Sequence, residues 1–165
     1  MSSDTFTTAI FLIASVLAAA VLVNAFFPAI YSASSTFTKS SNSADERLRT
    51  DIKIINTFSG AGTREAKVWI KNIGSTHIPE TSIGNANIFV GAPADFEMVA
   101  YTAGEPANHQ WTFAIIEDTN RYWDEGETIC IEVSSDKIPA GSTDVVYFQI
   151  VLPSGVLRTA EFTVS

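Results

Sequence analysis

The residues that could do chemistry are few. Two histidines, His77 in "GSTHIP" and His109 in "ANHQW", are the candidates for proton transfer or metal ligation, and neither stands in an HExxH or paired-ligand spacing. Each reads as a surface residue of a turn. No GxSxG elbow presents a serine, so a hydrolase triad has no starting point. "GAG" at Gly60 to Gly62 is flanked by two strand-like runs, which makes it a hairpin tip and not a phosphate loop. The lone cysteine, Cys130 in "ETICIEV", cannot form an internal disulfide, and its apolar strand context makes it a packed thiol.

Charge concentrates in "EDTNRYWDEGE", where Glu117, Asp118, Asp124, Glu125 and Glu127 crowd one loop. Oxygen-rich loops of this kind suit a hard cation such as calcium, and Asp118, Asn120, Asp124 and Glu125 are the candidate ligands. The spacing does not match an EF-hand, and Arg121 offsets part of the charge. The simpler reading is a solvated β-loop whose "DEGE" closes a tight turn, with no metal and no cofactor expected. The chain carries a formal charge of -8, and its 10 Lys and Arg are scattered, which argues against a nucleic-acid partner.

The elements around these residues fall into two unlike parts. From Thr5 to Thr38 there is no charged side chain. As an α-helix, Phe6 to Phe27 would extend about 33 Å, roughly one bilayer core. A secretory signal would need a basic n-region and a small-residue cleavage site after a shorter apolar run. Here no Lys or Arg precedes Lys39, and the run around Ala18 to Ala20 lies inside the apolar stretch. The segment is therefore expected to be retained and helical, in a membrane or in a filament core. Ile10, Leu17, Val21 and Asn24 share one helical face that needs an apolar medium to be buried against other copies. Pro28 removes the hydrogen bond to the Asn24 carbonyl and is expected to kink the helix, and Phe26, Phe27 and Tyr31 form an aromatic girdle.

Next comes "SASSTFTKSSNSADERLRTD". Its composition reads as a flexible linker, whereas the spacing of Ile30, Phe37, Ala44 and Leu48 places them on one face of a helical stalk reaching about Arg49. The expected organisation is thus residues 1–49 as helix and stalk and residues 50–165 as a β domain of ordinary size.

After Arg49 the period changes to two. "DIKIINTF", "EAKVWIKNIG", "NANIFVG", "DFEMVAY", "HQWTFAIIED", "ETICIEVSS", "DVVYFQIVLP" and "LRTAEFTVS" read as strands, and Gly, Pro and Asn fill the gaps between them. The predicted class is α+β, a long N-terminal hydrophobic helix followed by an all-β immunoglobulin-like sandwich, with a closed barrel as the other arrangement open to the same strands. Alternation predicts a core of Ile52, Ile54, Val68, Ile70, Ile88, Val90, Phe113, Ile115, Ile129, Ile131, Val146, Phe148, Ile150 and Phe162.

Three stretches together resemble a known family: the uncharged "TTAIFLIASVLAAAVLVNAFFPAIY", the stalk closing in "ADERLRTDIKII", and the strand-turn "KVWIKNIGSTHIP" with Lys71, Asn72 and Gly74; the later "PSGV" looks similar as well. The chain resembles archaellum proteins of the FlaG and FlaF type, relatives of archaellins and type IV pilins. The resemblance implies a non-enzymatic, membrane-anchored accessory of the archaeal motility machinery, on the outer side of the cytoplasmic membrane. Its implied partners are other archaellum proteins, the surface layer and further copies of itself. An archaellin-like subunit, polymerising through the N-terminal helix into an extracellular filament, is the alternative. Archaellins and pilins carry a short basic leader cut just before the hydrophobic helix. The sequence beginning Met1-Ser2-Ser3-Asp4 shows none, either because there was never one or because the quoted chain omits it, and it contains no Asn-x-Ser/Thr sequon; both are expected to favour the accessory.

Overall fold

A computed structural model describes residues 2–117 and 120–165 of the chain. Helix α1 (Ser2–Arg49) takes up the whole opening stretch and the stalk without a break, and it runs on through Pro28. The Ser/Thr-rich part stays helical because its hydroxyls bond locally: Ser35 and Thr36 donate to the Ser32 carbonyl, both at 2.9 Å, and Thr38 to the Ser34 carbonyl at 3.0 Å. These side chains satisfy themselves within the helix and do not compete for its amides. Asp4 in the first turn and Arg47 and Arg49 in the last complement the helix dipole.

Ten strands and one short helix follow: β1 (Ile52–Ser59), β2 (Glu65–Asn72), β3 (Ile78–Pro79), α2 (Glu80–Gly84), β4 (Asn87–Ala92), β5 (Asp95–Tyr101), β6 (Gln110–Ile116), β7 (Tyr122–Trp123), β8 (Thr128–Ser134), β9 (Val145–Val151) and β10 (Leu157–Thr163). The longer eight form one ladder in the order β1-β2-β8-β6-β5-β4-β9-β10, while β3 and β7 pair separately. The join between β6 and β5 is parallel and short, Ala100 opposite Gln110 and Tyr101 opposite Trp111. Every other neighbouring pair in the ladder is antiparallel. The ladder therefore folds at that join into two facing sheets. Its ends come alongside each other, with Arg158 Nε donating to the Ile52 carbonyl at 2.8 Å and Ser165 N to the Ser59 carbonyl at 2.9 Å. The result is a β-sandwich.

Its interior is the alternate set of strand residues. Ile52, Val68, Ile70, Ile88, Val90, Ile129, Ile131, Val146, Phe148 and Ile150 are fully buried, and Ile54, Phe113, Ile115 and Phe162 are half-buried against them. Each fully buried aliphatic or phenyl side chain contributes about 1.5 to 3 kcal/mol of transfer free energy. Trp111 of β6 also belongs to the core, as do Trp123, Ile83 and Ile138 from shorter segments.

By compactness the chain divides into two units, Met1–Ala44 and Asp45–Ser165. The last turn of α1 thus belongs to the unit that contains the sandwich.

Candidate assembly and anchoring sites

Within the first unit, the apolar surface of α1 is uncovered all round. Ile10 is 53 %, Leu17 61 % and Val21 69 % exposed, and Phe6 on the same face and Phe11, Leu12, Val16 and Leu22 on others are similarly open. At 100° per residue, Ile10, Leu17, Val21, Asn24 and Pro28 share one face, as their spacing predicts. Phe27 and Tyr31 touch, ring centroids 6.3 Å apart, at the end of the apolar run. By length and composition this helix is long and apolar enough to cross a membrane.

Within the second unit, the strand-turn around Asn72 grips the residues that end α1. Asn72 is the last residue of β2 and is fully buried. Its Nδ2 donates to the Thr76 and Trp123 carbonyls, both at 2.9 Å, and its Oδ1 accepts from Gly74 N at 3.0 Å. Its main chain is used as fully, since Asn72 N donates to the Glu127 carbonyl and Gly126 N to the Asn72 carbonyl. The side chain therefore holds the 73–76 turn against β7, and the main chain of the same residue holds the loop that follows β7. The turn in turn closes on the end of α1: Ile73 N and Gly74 N both donate to the Asp51 carbonyl at 2.9 Å, and Ser75 N to the Arg49 carbonyl at 3.0 Å. Orphan carbonyls at a helix C-terminus need such partners. Lys71, one residue earlier, alternates to the opposite face, opposite Lys53 and Thr128, and takes no part.

Two arginines complete the grip. Arg47 Nε donates to the Ser154 carbonyl at 2.8 Å, and its guanidinium lies close against Gly155 in the "PSGV" turn. Gly155 has φ of 83°, a left-handed conformation that glycine adopts without strain. Arg158 bonds the Asp51 carboxylate as well as the Ile52 carbonyl. Sequence reasoning quoted the glycine turns but did not find Arg47, Ser154 or Arg158, whose partners lie more than a hundred residues away.

The candidate cation loop is arranged differently from a ligand cage. Asp118 lies outside the described residues. Asp124 Oδ2 accepts from Asn120 Nδ2 at 2.8 Å, and Asp124 Oδ1 lies 2.5 Å from His77 Nδ1. Bonding to His77, then to Asn120, holds the Asp124 carboxyl below its usual range. The Asn120 carbonyl oxygen accepts from Tyr122 N, and Glu127 Oε2 accepts from Asp124 N. Glu125 is exposed. The loop is thus knitted by its own donors, and among the described residues no three His, Cys, Asp or Glu side chains converge as a metal site.

His109 sits in a second polar knot. Its Nδ1 is 2.5 Å from Glu97 Oε1, which also accepts from the buried Ser135 hydroxyl at 2.5 Å. The Ser135 bond first, and His109 after it, holds the Glu97 carboxyl below its usual range. In this order the serine faces a carboxylate and not the imidazole, so the three do not form a nucleophile-activating triad. Asp136, bonded by Asn108 and Arg64, is likewise held low. Burial, followed by the neighbouring Glu132, pushes the Cys130 thiol up, which suits an inert packed cysteine.

One long apolar helix followed in the chain by a β-sandwich is also the pattern of the proteins that this chain is similar to. Residues 2–162 match the family model described as archaeal-type flagellin. The chain belongs to the archaeal-type flagellin family. An uncharacterized protein of Archaeoglobus fulgidus is 27% identical over 166 residues, covering 99% of each chain. Among solved structures, the chain is similar to the archaellum periplasmic stator protein FlaG from Sulfolobus acidocaldarius, with TM-score 0.53 and 21% identity over 68% of this chain and 99% of that one. It is similar also to the archaeal flagellum of Methanospirillum hungatei strain JF1, with TM-score 0.67 and 14% identity over 97% and 93%. The complex of FlaF and FlaG from Sulfolobus acidocaldarius matches with TM-score 0.54 and 21% identity over 67% and 87%. At these identities the solved structures speak for the fold, and the family model speaks for kinship. The chain is thus an archaellum-related structural protein, as the resemblance in its sequence implied.

Proposed function

We propose that the chain is a membrane-anchored accessory of the archaellum, with α1 spanning the cytoplasmic membrane and the sandwich outside it. The observation that carries this reading is the abrupt change of surface on one unbroken helix. From Phe6 to Tyr31 every exposed side chain except Asn24 is apolar or small, over about 39 Å at the helical rise. From Ser32 to Arg49 the same helix is mostly Ser, Thr and charged residues. That boundary, marked by Phe26, Phe27 and Tyr31, is what one bilayer face imposes. The basic residues Lys39, Arg47 and Arg49 are accompanied by Asp45, Glu46 and Asp51, so they retain the sandwich in the cytoplasm only weakly.

In this reading the sandwich works by surface contact with other archaellum proteins and the surface layer, and carries out no reaction. The solved complex of FlaF with FlaG is the precedent for such contact in a similar fold. The filament-subunit reading has its own support, since the likeness to the Methanospirillum hungatei flagellum extends over 97% of the chain. Filaments sheared from cells and freed of membrane separate the two. The accessory is absent from them and stays with the membrane fraction; a chain that dominates the filament is the subunit.

A further inference from the structure

We propose that Asn24 pairs with Asn24 of a second copy of this chain inside the membrane, through their side-chain carboxamides. The inference rests on the anchored reading of α1 and adds the contact that joins two anchors. Within the apolar run Phe6–Tyr31 the polar side chains short of its terminal tyrosine are Thr7, Thr8, Ser15 and Asn24. Three of them are satisfied by their own helix: Thr7 donates to the Ser3 carbonyl at 2.9 Å, Thr8 to the Asp4 carbonyl at 2.7 Å and Ser15 to the Leu12 carbonyl at 2.8 Å. Asn24 is exposed and has no such bond among the described residues.

The main chain adds a second open group at the same place. Pro28 stands inside the helix and has no N–H, so the carbonyl four residues earlier, that of Asn24, loses its helical donor. A donor and two acceptors therefore gather on one turn of an otherwise apolar surface. In hydrocarbon no water satisfies them. Asn24 lies about 8 Å along the axis from the middle of the run, inside a core of about 30 Å.

A carboxamide complements itself, because each offers both N–H and C=O. Copies anchored in one membrane with the same orientation hold Asn24 at the same depth, so the two carboxamides meet without any axial shift. Val21 and Leu17, one and two turns earlier on the same face, then pack beside the pair. Copies stacked along a filament are displaced axially, and the same residue does not meet itself there. The contact thus belongs to the bilayer assembly.

The test uses the full chain in native membranes. In a Cys130→Ser background, Asn24→Cys should give a covalent homodimer on mild oxidation, and Leu22→Cys, about 160° away around the helix, should not. Asn24→Leu in lipid should self-associate about 3- to 30-fold more weakly than the natural chain, with Asn24→Gln in between. Equal cross-linking at both positions, a cross-link to a protein of different mass, or unchanged association of Asn24→Leu would overturn the pairing. The anchor is judged separately, from whether the same variants sediment with membranes.

Discussion

Gly74 lies directly against the backbone of Arg49 and Asp51, so closely that a Cβ at position 74 would collide with the Arg49 carbonyl oxygen and the Asp51 nitrogen. Three amides of the 73–75 turn are donated to those same two residues' carbonyls. The turn is therefore the seat in which the last helical residues rest, and its residue types follow from that: a glycine for close approach and a buried asparagine to hold it.

Gly74→Ala should destabilise the β unit by about 1 to 3 kcal/mol, because backbone on both sides leaves no flexible group to give way. Gly104→Ala is the matched control, having open space around its Cβ position and no positive φ, and should change stability by less than about 0.5 kcal/mol. Urea unfolding followed by tryptophan fluorescence reads both. Equal effects of the two substitutions would mean that the seat is not under packing constraint.

Asn72→Asp should cost at least about 2 kcal/mol, more than its change of one atom suggests. A carboxylate cannot donate to the Thr76 and Trp123 carbonyls, and it would place a charge at a fully buried site. Because Trp123 Nε1 donates to the Glu127 carbonyl in the same loop, its emission should shift to the red as that loop loosens. A variant with natural emission and an unchanged urea midpoint would contradict this.

The knot around Glu97 should make stability fall in acid. Its carboxyl is held below the ordinary value of about 4.3 in the folded protein, so the contribution is fully present above that value and is lost as pH falls through the lower folded value. Asp124 and Asp136 act in the same direction from exposed positions, where solvent screens them. Urea midpoints between pH 6 and pH 3 should decline, and Glu97→Gln or Ser135→Ala should flatten part of the decline. A slope untouched by both substitutions would remove the knot from the account.

Leu17→Glu places a carboxylate near the middle of the apolar run, at a cost of at least roughly 2.5 kcal/mol in a bilayer. Less of the variant should reach the membrane fraction, while the sandwich keeps its tryptophan environment. Full membrane retention would argue that α1 is not the anchor.

The eight ladder strands were legible because each is long enough to show its period, and the ten buried positions named from alternation follow from that. The pair Ile78–Pro79 and Tyr122–Trp123, two residues each, and the five-residue α2 are too short to carry any period. Trp123 and Ile83 were missed as core residues for the same reason. The spacing of Ile30, Phe37, Ala44 and Leu48 pointed to the helical stalk although its Ser/Thr content read as linker; local hydroxyl-to-carbonyl bonds explain why composition misled. Asn72 and Gly74 were singled out by resemblance, yet their partners Arg49, Asp51 and Trp123 come from distant segments that spacing cannot connect. The acidic loop looked like a ligand set by composition, whereas Asn120 turns its amide group, not its carbonyl, toward Asp124.

The most direct test of the anchored reading is protease treatment of cells stripped of their surface layer, followed by mass analysis of what stays in the membrane. The account predicts that the sandwich is digested and that a fragment containing Phe6 to Tyr31 remains protected. Complete protection of the chain, or its release from the membrane as one intact species, would contradict it.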